Sequence, residues 1–218
     1  MGKRIFALLL TFAMVMSMSF TVMADEPEIL YELNLEDYNE GDRPKEAYNP
    51  SEKGLVTVKV DESGEKYISV EDRDLSKAVG WAAPSIPTGD ISTITLDYRN
   101  LSGSNGSGQL YVIGRTGYNI CLTLSGAPTQ YDGKSNIGTT GNMMLDEWSN
   151  ITIVANRSAN YFDLYQDGML IGEKLPYRGG NFLDRAQINM WGPQSNVSLF
   201  DFKNLKIYDG TVIPERAD

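Results

Sequence analysis

Between Trp148 and Gly172 the chain alternates apolar and polar residues, with breaks at two points. Ile151, Ile153 and Ala155 fall on one side of an extended backbone, Thr152 and Val154 on the other. After a polar turn at 156–160, Phe162, Leu164 and Gln166 alternate with Tyr161, Asp163 and Tyr165. Asp167-Gly168 is a preferred pair for a type I′ turn, because both central residues of that turn need positive φ. Met169-Leu170-Ile171 then runs back. The pattern predicts three antiparallel strands joined by two tight turns.

The same period of two recurs along the chain. Ile29, Tyr31, Leu33 and Leu35 share one face of a first strand. Residues 37–53 carry Gly41, Pro44 and Pro50 and read as a loop. Leu55–Val60 is β-branched and alternating, and Asp61-Glu62-Ser63-Gly64 turns it into Lys66–Val70, a hairpin. Ala78–Ala83 forms a short strand stopped by Pro84 and Pro87. Ile91–Tyr98 is a strong strand, and 101–108 is a Ser, Gly and Asn connection. Gln109–Gly114 and Tyr118–Leu124 flank a short turn at Arg115. Residues 125–144 are Gly-rich and weakly patterned, a loop region suited to lie near a site. Arg185–Trp191 and Leu199–Tyr208 supply two more strands. About a dozen short strands and no helical period predict an all-β fold, a two-sheet antiparallel β-sandwich of jelly-roll type.

The first 24 residues stand apart. Lys3 and Arg4 precede an apolar run from Ile5 to Val22, which ends at Val22-Met23-Ala24 before acidic residues. This is the pattern of a cleaved secretory signal peptide. Subtracting 24 from 218 leaves 194 residues: one domain over 25–210, then a tail or linker at 211–218. Export places the mature chain outside the cell, free or at the cell surface. The lone Cys121 allows no internal disulfide, so packing must hold the exported fold, alone or with a metal ion. A cysteine-poor chain behind such a signal reads as bacterial. The five Asn-x-Ser/Thr triplets, at Asn100, Asn105, Asn150, Asn156 and Asn196, then read as turn and surface residues.

Charge narrows the partners. The mature chain has 17 basic residues against 29 acidic, a formal charge of −12, and no basic cluster. Nucleic acid and stable membrane insertion are not expected, and polyanionic substrates such as pectate or alginate are disfavoured. The chain has no histidine. That removes the commonest general base, the Ser-His and Cys-His pairs and the usual zinc ligands.

W-S-N-I-T-I-V-A-N-R-S-A-N-Y-F-D-L-Y-Q-D-G-M-L-I-G, with the closing S-L-F-D-F-K-N-L-K-I-Y-D-G and the opening Y-E-L-N-L-E-D-Y-N-E-G-D, resembles the laminin-G-like, concanavalin-A-like jelly rolls. The resemblance spans most of the mature chain. It implies the same two-sheet sandwich, and it is nearly silent on function because that fold hosts lectins, glycanases, lyases and adhesion modules. Glucanases of that family carry alternate carboxylates on one strand, facing a groove. A retaining pair needs carboxyl groups about 5–5.5 Å apart. Glu71, Asp72 and Asp74 come nearest, but Arg73 and the lack of a third carboxylate break the match. The lyases of the fold use histidine, which is missing, so catalysis is not expected.

Sugar rings stack on aromatic faces while polar side chains bind hydroxyls. Trp81 in G-W-A-A-P and Trp191 in N-M-W-G-P sit beside Gly or Pro breaks. Tyr111 and Tyr118 straddle a hairpin with Arg115 at its turn. These five are the candidate carbohydrate-binding residues; Tyr131 and Tyr177, in loops, are weaker ones, and Trp148 reads as packing. The resemblance further implies a structural calcium where the first and last strands meet, with Glu36, Asp37 and Asp201 as its carboxylates. The expectation is a secreted, non-catalytic, lectin-like module that binds a glycan or polysaccharide, as part of a larger glycan-processing or surface protein. The alternatives are an adhesion domain without sugar specificity and a divergent polysaccharide hydrolase or lyase.

Overall fold

The structure is a computed structural model that describes residues 27–115, 117–179 and 183–216. The expected signal peptide, 1–24, lies outside them. Among the described residues there is no helix. The strands in chain order are β1 (Glu28–Glu32), β2 (Ala47–Tyr48), β3 (Gly54–Val60), β4 (Lys66–Asp72), β5 (Gly80–Ala82), β6 (Ile86–Pro87), β7 (Ile91–Asn100) and β8 (Gly108–Gly114). They continue with β9 (Gly117–Leu124), β10 (Thr129–Tyr131), β11 (Asn136–Gly138), β12 (Ser149–Asn156), β13 (Tyr161–Gln166), β14 (Met169–Pro176), β15 (Arg185–Trp191) and β16 (Ser198–Asp209).

Two antiparallel sheets form. The first has the order β14-β13-β12-β7-β16-β4-β3. Its β16 is long enough to hold β4 along Ser198–Phe202 and β1 along Lys206–Asp209 on the same edge. The second has the order β11-β10-β9-β8-β15-β5-β2, with β6 beside the start of β15. The opening stretch of Trp148–Gly172 is the β12-β13-β14 meander, with Ile153 opposite Leu164 and Ala155 opposite Phe162. Asp167 (φ 50°) and Gly168 (φ 75°) both take the left-handed conformation that the I′ turn requires.

Alternation decides what is inside. On β8 every second residue is buried, Leu110 and Val112 inward, Gln109, Tyr111 and Ile113 outward. Ile94, Leu96, Phe162, Phe200 and Phe202 of the first sheet meet Trp81, Leu122, Ile188 and Met190 of the second, all with no exposed surface. Burying such side chains contributes about 1.5–3 kcal/mol each. One polar bridge crosses this core. The Tyr98 hydroxyl donates to Asn100 Oδ1 (2.7 Å), and Asn100 Nδ2 donates to the Leu124 carbonyl (2.6 Å).

Three segments differ from their sequence pattern. The 37–53 loop contains β2, and 125–144 contains the β10–β11 hairpin. Strands of two or three residues are too short to show a period. What holds β10 is the buried Gln130, whose Oε1 accepts from the Cys121 amide and whose Nε2 donates to the Pro176 carbonyl. The third is the tail. Residues 211–216 pack on the sandwich rather than leaving it. The Val212 amide donates to Thr93 Oγ1 (2.9 Å), and that hydroxyl donates to the Gly210 carbonyl (2.7 Å). The chain then reaches Gly168, where a Cβ would lie 2.8 Å from the Pro214 carbonyl oxygen. The tail therefore crosses the outer face of the first sheet from β7 to the β13–β14 turn. Thr93 and Thr152, outward-facing yet wholly buried, lie along that path.

Candidate functional site

The outer face of the second sheet carries a band of aromatic rings running across its strands. Register sets it up. Tyr48 pairs with Gly80, Gly80 with Trp191, Asn189 with Tyr111, and Ile113 with Tyr118, so all these residues share the outward face. Tyr48 stacks on Trp191 at 5.8 Å between ring centroids, Trp191 lies 4.6 Å from Tyr111, and Tyr111 5.0 Å from Tyr118. Beyond Tyr118 the Arg178 guanidinium lies 5.7 Å from that ring and 5.1 Å from the ring of Tyr131. Five strands, β2, β5, β15, β8 and β9, thus support one continuous band, with Arg178 and β10 at its end.

Glycine makes room for it. A Cβ at Gly80 would collide with the Met190 carbonyl oxygen and lie 2.6 Å from Trp191 Cα and Cβ, so glycine lets β5 pair closely with β15 beneath Trp191. Tyr48 and Tyr118 are exposed, while Trp191 and Tyr111 are half-buried between them. A groove of about 530 Å³ runs along the band, lined by Tyr48, Gln109, Tyr118, Trp191 and the 192–195 turn. That volume is in the range of small-molecule sites, about 300–1,000 Å³. Burial raises the Tyr111 hydroxyl and the Cys121 thiol above their usual values, so both are neutral at pH 7. The Tyr111 hydroxyl donates to Gln109 Oε1 (2.7 Å). Asn189 is nine-tenths buried beneath the rings, and its Oδ1 has no hydrogen-bond partner.

The structure brings together three of the five residues singled out for sugar contact: Trp191, Tyr111 and Tyr118. Trp81 is elsewhere. It pairs with Met190 and so points inward, wholly buried against Phe202 (5.3 Å). On β5 the inward and outward faces alternate between adjacent residues, and Gly80 and Ala82 take the outer one. Arg115 lies at the far end of the β8–β9 hairpin, exposed and ion-paired with Asp184 (2.8 Å). Of the weaker candidates, Tyr131 joins the band while Tyr177 is buried on Phe162. Tyr48 and Arg178 were not visible in the sequence. Tyr48 sits in a two-residue strand, and Arg178 is brought over β9 by the hydrogen bond from its amide to the Asn119 carbonyl (2.7 Å).

Asp201 also differs from expectation. It faces outward from β16, yet only 1 % of it is exposed. Its charge is met by Arg99, whose Nε and Nη2 donate to Oδ2 at 2.9 and 2.7 Å. Glu36 and Asp37 are not drawn to it. Glu36 receives Lys66 Nζ on its carbonyl, and Asp37 borders a separate pocket beside Tyr31 and Pro44. Among the described residues no group of three or more His, Cys, Asp or Glu side chains could hold a metal. The three carboxylates therefore do not fit a calcium site. Trp148 lies on this same outer face, with Arg99 at 4.5 Å and Lys203 at 4.7 Å from its ring, rather than in the main core.

No family model and no curated protein matches the chain. Solved structures do. A sialidase aligns with a TM-score of 0.62 and 14 % identity over 75 % of this chain, which spans only 16 % of the sialidase. A carbohydrate esterase from Shiga toxin-encoding bacteriophage phi24B gives 0.56 and 10 % identity, covering 85 % of this chain and all of that one. The carbohydrate recognition domain of Emp47p gives 0.50 and 13 % identity, covering 86 % and 99 %. The fold is a concanavalin-A-like jelly roll. At these identities the likeness speaks for the fold alone. Within the concanavalin-A-like sandwich, the aromatic band occupies the outer face of the sheet that does not hold the first and last strands, β1 and β16.

Proposed function

We propose that the chain is a secreted carbohydrate-binding module that holds a glycan on the aromatic band and does not cleave it. The observation that carries this reading is the band itself: Tyr48, Trp191, Tyr111 and Tyr118 in contact along a groove with Gln109 at its side. Rings supply apolar area for sugar faces, and amide and hydroxyl groups supply hydrogen bonds for their edges. The similar structures named for carbohydrate recognition or carbohydrate chemistry accord with a glycan as the occupant.

Binding without cleavage has its own support. Glycoside hydrolysis usually needs two carboxyl groups flanking the bond. Among the described residues, the outward positions of the second sheet's strands hold Tyr, Trp, Gln, Asn, Thr, Cys, Ile and Arg, but no Asp or Glu.

The test is retention of residues 25–218 on insoluble polysaccharides and a glycan array. Trp191→Ala and Tyr118→Ala should abolish retention with the strand circular-dichroism signal intact, and no new reducing ends should appear. Retention that survives the double variant, or a wild type that retains nothing, sinks the reading.

A further inference from the structure

We propose that the sugar bound on this surface carries a carboxylate, and that Arg178 is the group that takes it. The inference rests on the glycan-binding reading of the aromatic band and names the class of glycan.

Arg178 differs from Arg99, Arg115 and Arg157 in what it faces. Arg99, Arg115 and Arg157 each pair with an aspartate, at 2.7, 2.8 and 2.8 Å. Arg178 has no carboxylate within 4.0 Å among the described residues. It lies over the faces of Tyr118 and Tyr131 instead, beside the neutral Cys121.

The geometry leaves the cation ready. A guanidinium has five N–H donors; set beside two ring faces and the Cys121 thiol, which takes one of them, Arg178 keeps others for a planar, two-oxygen acceptor. Its backbone is fixed by the hydrogen bond to Asn119, and its stem passes over Gly133, where a Cβ would lie 3.5 Å from Arg178 Cγ. Tyr118 is shared. One ring borders the groove and supports the guanidinium, so a sugar stacked in the groove can extend an acid group past Tyr118 to Arg178. No aspartate or glutamate projects from the outward face of these strands to compete for it.

The overall negative charge, which disfavours polyanions, acts at longer range. It is screened beyond about 8 Å at physiological salt. A short acidic glycan docking at Arg178 meets outward strand positions that carry no Asp or Glu among the described residues. The shared chemistry is a sugar carboxylate, from either a sialic or a uronic acid.

Four probes separate these sources: sialyllactose against lactose, and trigalacturonic acid against its methyl ester. Titration calorimetry on wild type, Arg178→Gln and Trp191→Ala reads the result. Wild type should favour the acid in at least one pair by about ten- to a hundredfold, the worth of a charge-assisted pair. Arg178→Gln should remove that preference, and Arg178→Lys should keep part of it. Equal affinity for acid and neutral partners, with Trp191→Ala abolishing both, overturns the carboxylate and leaves the surface standing. Acid preference that persists in Arg178→Gln overturns the role of Arg178. Binding of none of the four overturns this inference together with the reading beneath it.

Discussion

Arg99 and Asp201 form a two-nitrogen ion pair across adjacent strands, with both N–H groups on one carboxylate oxygen and Trp148 stacked at 4.5 Å over the guanidinium. The two residues are directly opposed in the β7–β16 register. Asp201 Oδ1 has no partner, and neither does Ser69 Oγ opposite it on β4. The carboxylate is thus buried with Arg99 as its one ion-pair partner among the described residues, and Lys59 acts on it only at longer range.

Removing Arg99 leaves the buried carboxylate without its ion pair and hydrogen bonds. Arg99→Ala should destabilise the fold by about 3–5 kcal/mol, the usual result of breaking a buried pair. Asp201→Asn should cost less, since it removes the charge as well as the pairing. Urea unfolding of both variants compares them, and equal small losses would show that the pair is not the main stabiliser of this face.

The two tryptophans chosen from similar sequence settings should behave in opposite ways. Trp81→Ala empties a wholly buried site against Phe202 and should cost about 3–5 kcal/mol. Trp191→Ala should change stability far less, because its ring is half-exposed, while abolishing glycan retention. Thermal melts and pulldown on the same two proteins make the comparison.

Deleting residues 211–218 should lower the melting temperature. The deletion removes the hydrogen bond from Val212 to Thr93 and uncovers outward-facing threonines. A loss of about 1–3 kcal/mol follows from the hydrogen bonds and buried surface involved. Gly168→Ala should act in the same direction, since its Cβ would meet the tail at a residue with φ 75°. A free linker would give no change on deletion.

Acid should unfold the protein through its turns. Hydrogen bonds hold four carboxyls below their ordinary value: from the Ser63 hydroxyl to Asp61, the Ser76 hydroxyl to Asp74, the Ser135 amide to Asp132, and the Ser102 hydroxyl to Asp146. Depressed carboxyls contribute stability that is complete above the unfolded value, about 3.9, and lost as pH falls through the folded values. Burial moves Asp72 the other way, so protonating it favours the folded state. The melting temperature should fall below about pH 4, and Asp132→Asn should flatten part of that fall in a melt series from pH 7 to 2.

Much of the fold is legible in the alternation. Ile151–Gly172 reads as a meander with one required Asp-Gly reversal, and it folds as one. Short elements are not legible, because two or three residues carry no period. Tyr48, Gln130 and the β10–β11 hairpin come from that class. The site is half legible. Tyr111, Tyr118 and Trp191 were suggested by their places at strand ends and turns, yet Trp81 had the same local setting and went inward.

What the sequence determined alone is which residues can share a face, since a strand sends neighbours to opposite sides whatever it packs against. Which face meets the other sheet and which meets solvent is a property of pairing between distant strands. Register across β2, β5, β15, β8 and β9 gathered the rings of Tyr48, Trp191, Tyr111 and Tyr118. A return of the chain near Asn119 brought Arg178 to their end. Those contacts join residues up to about a hundred and forty places apart, and no local pattern encodes a meeting that only the closed sandwich makes.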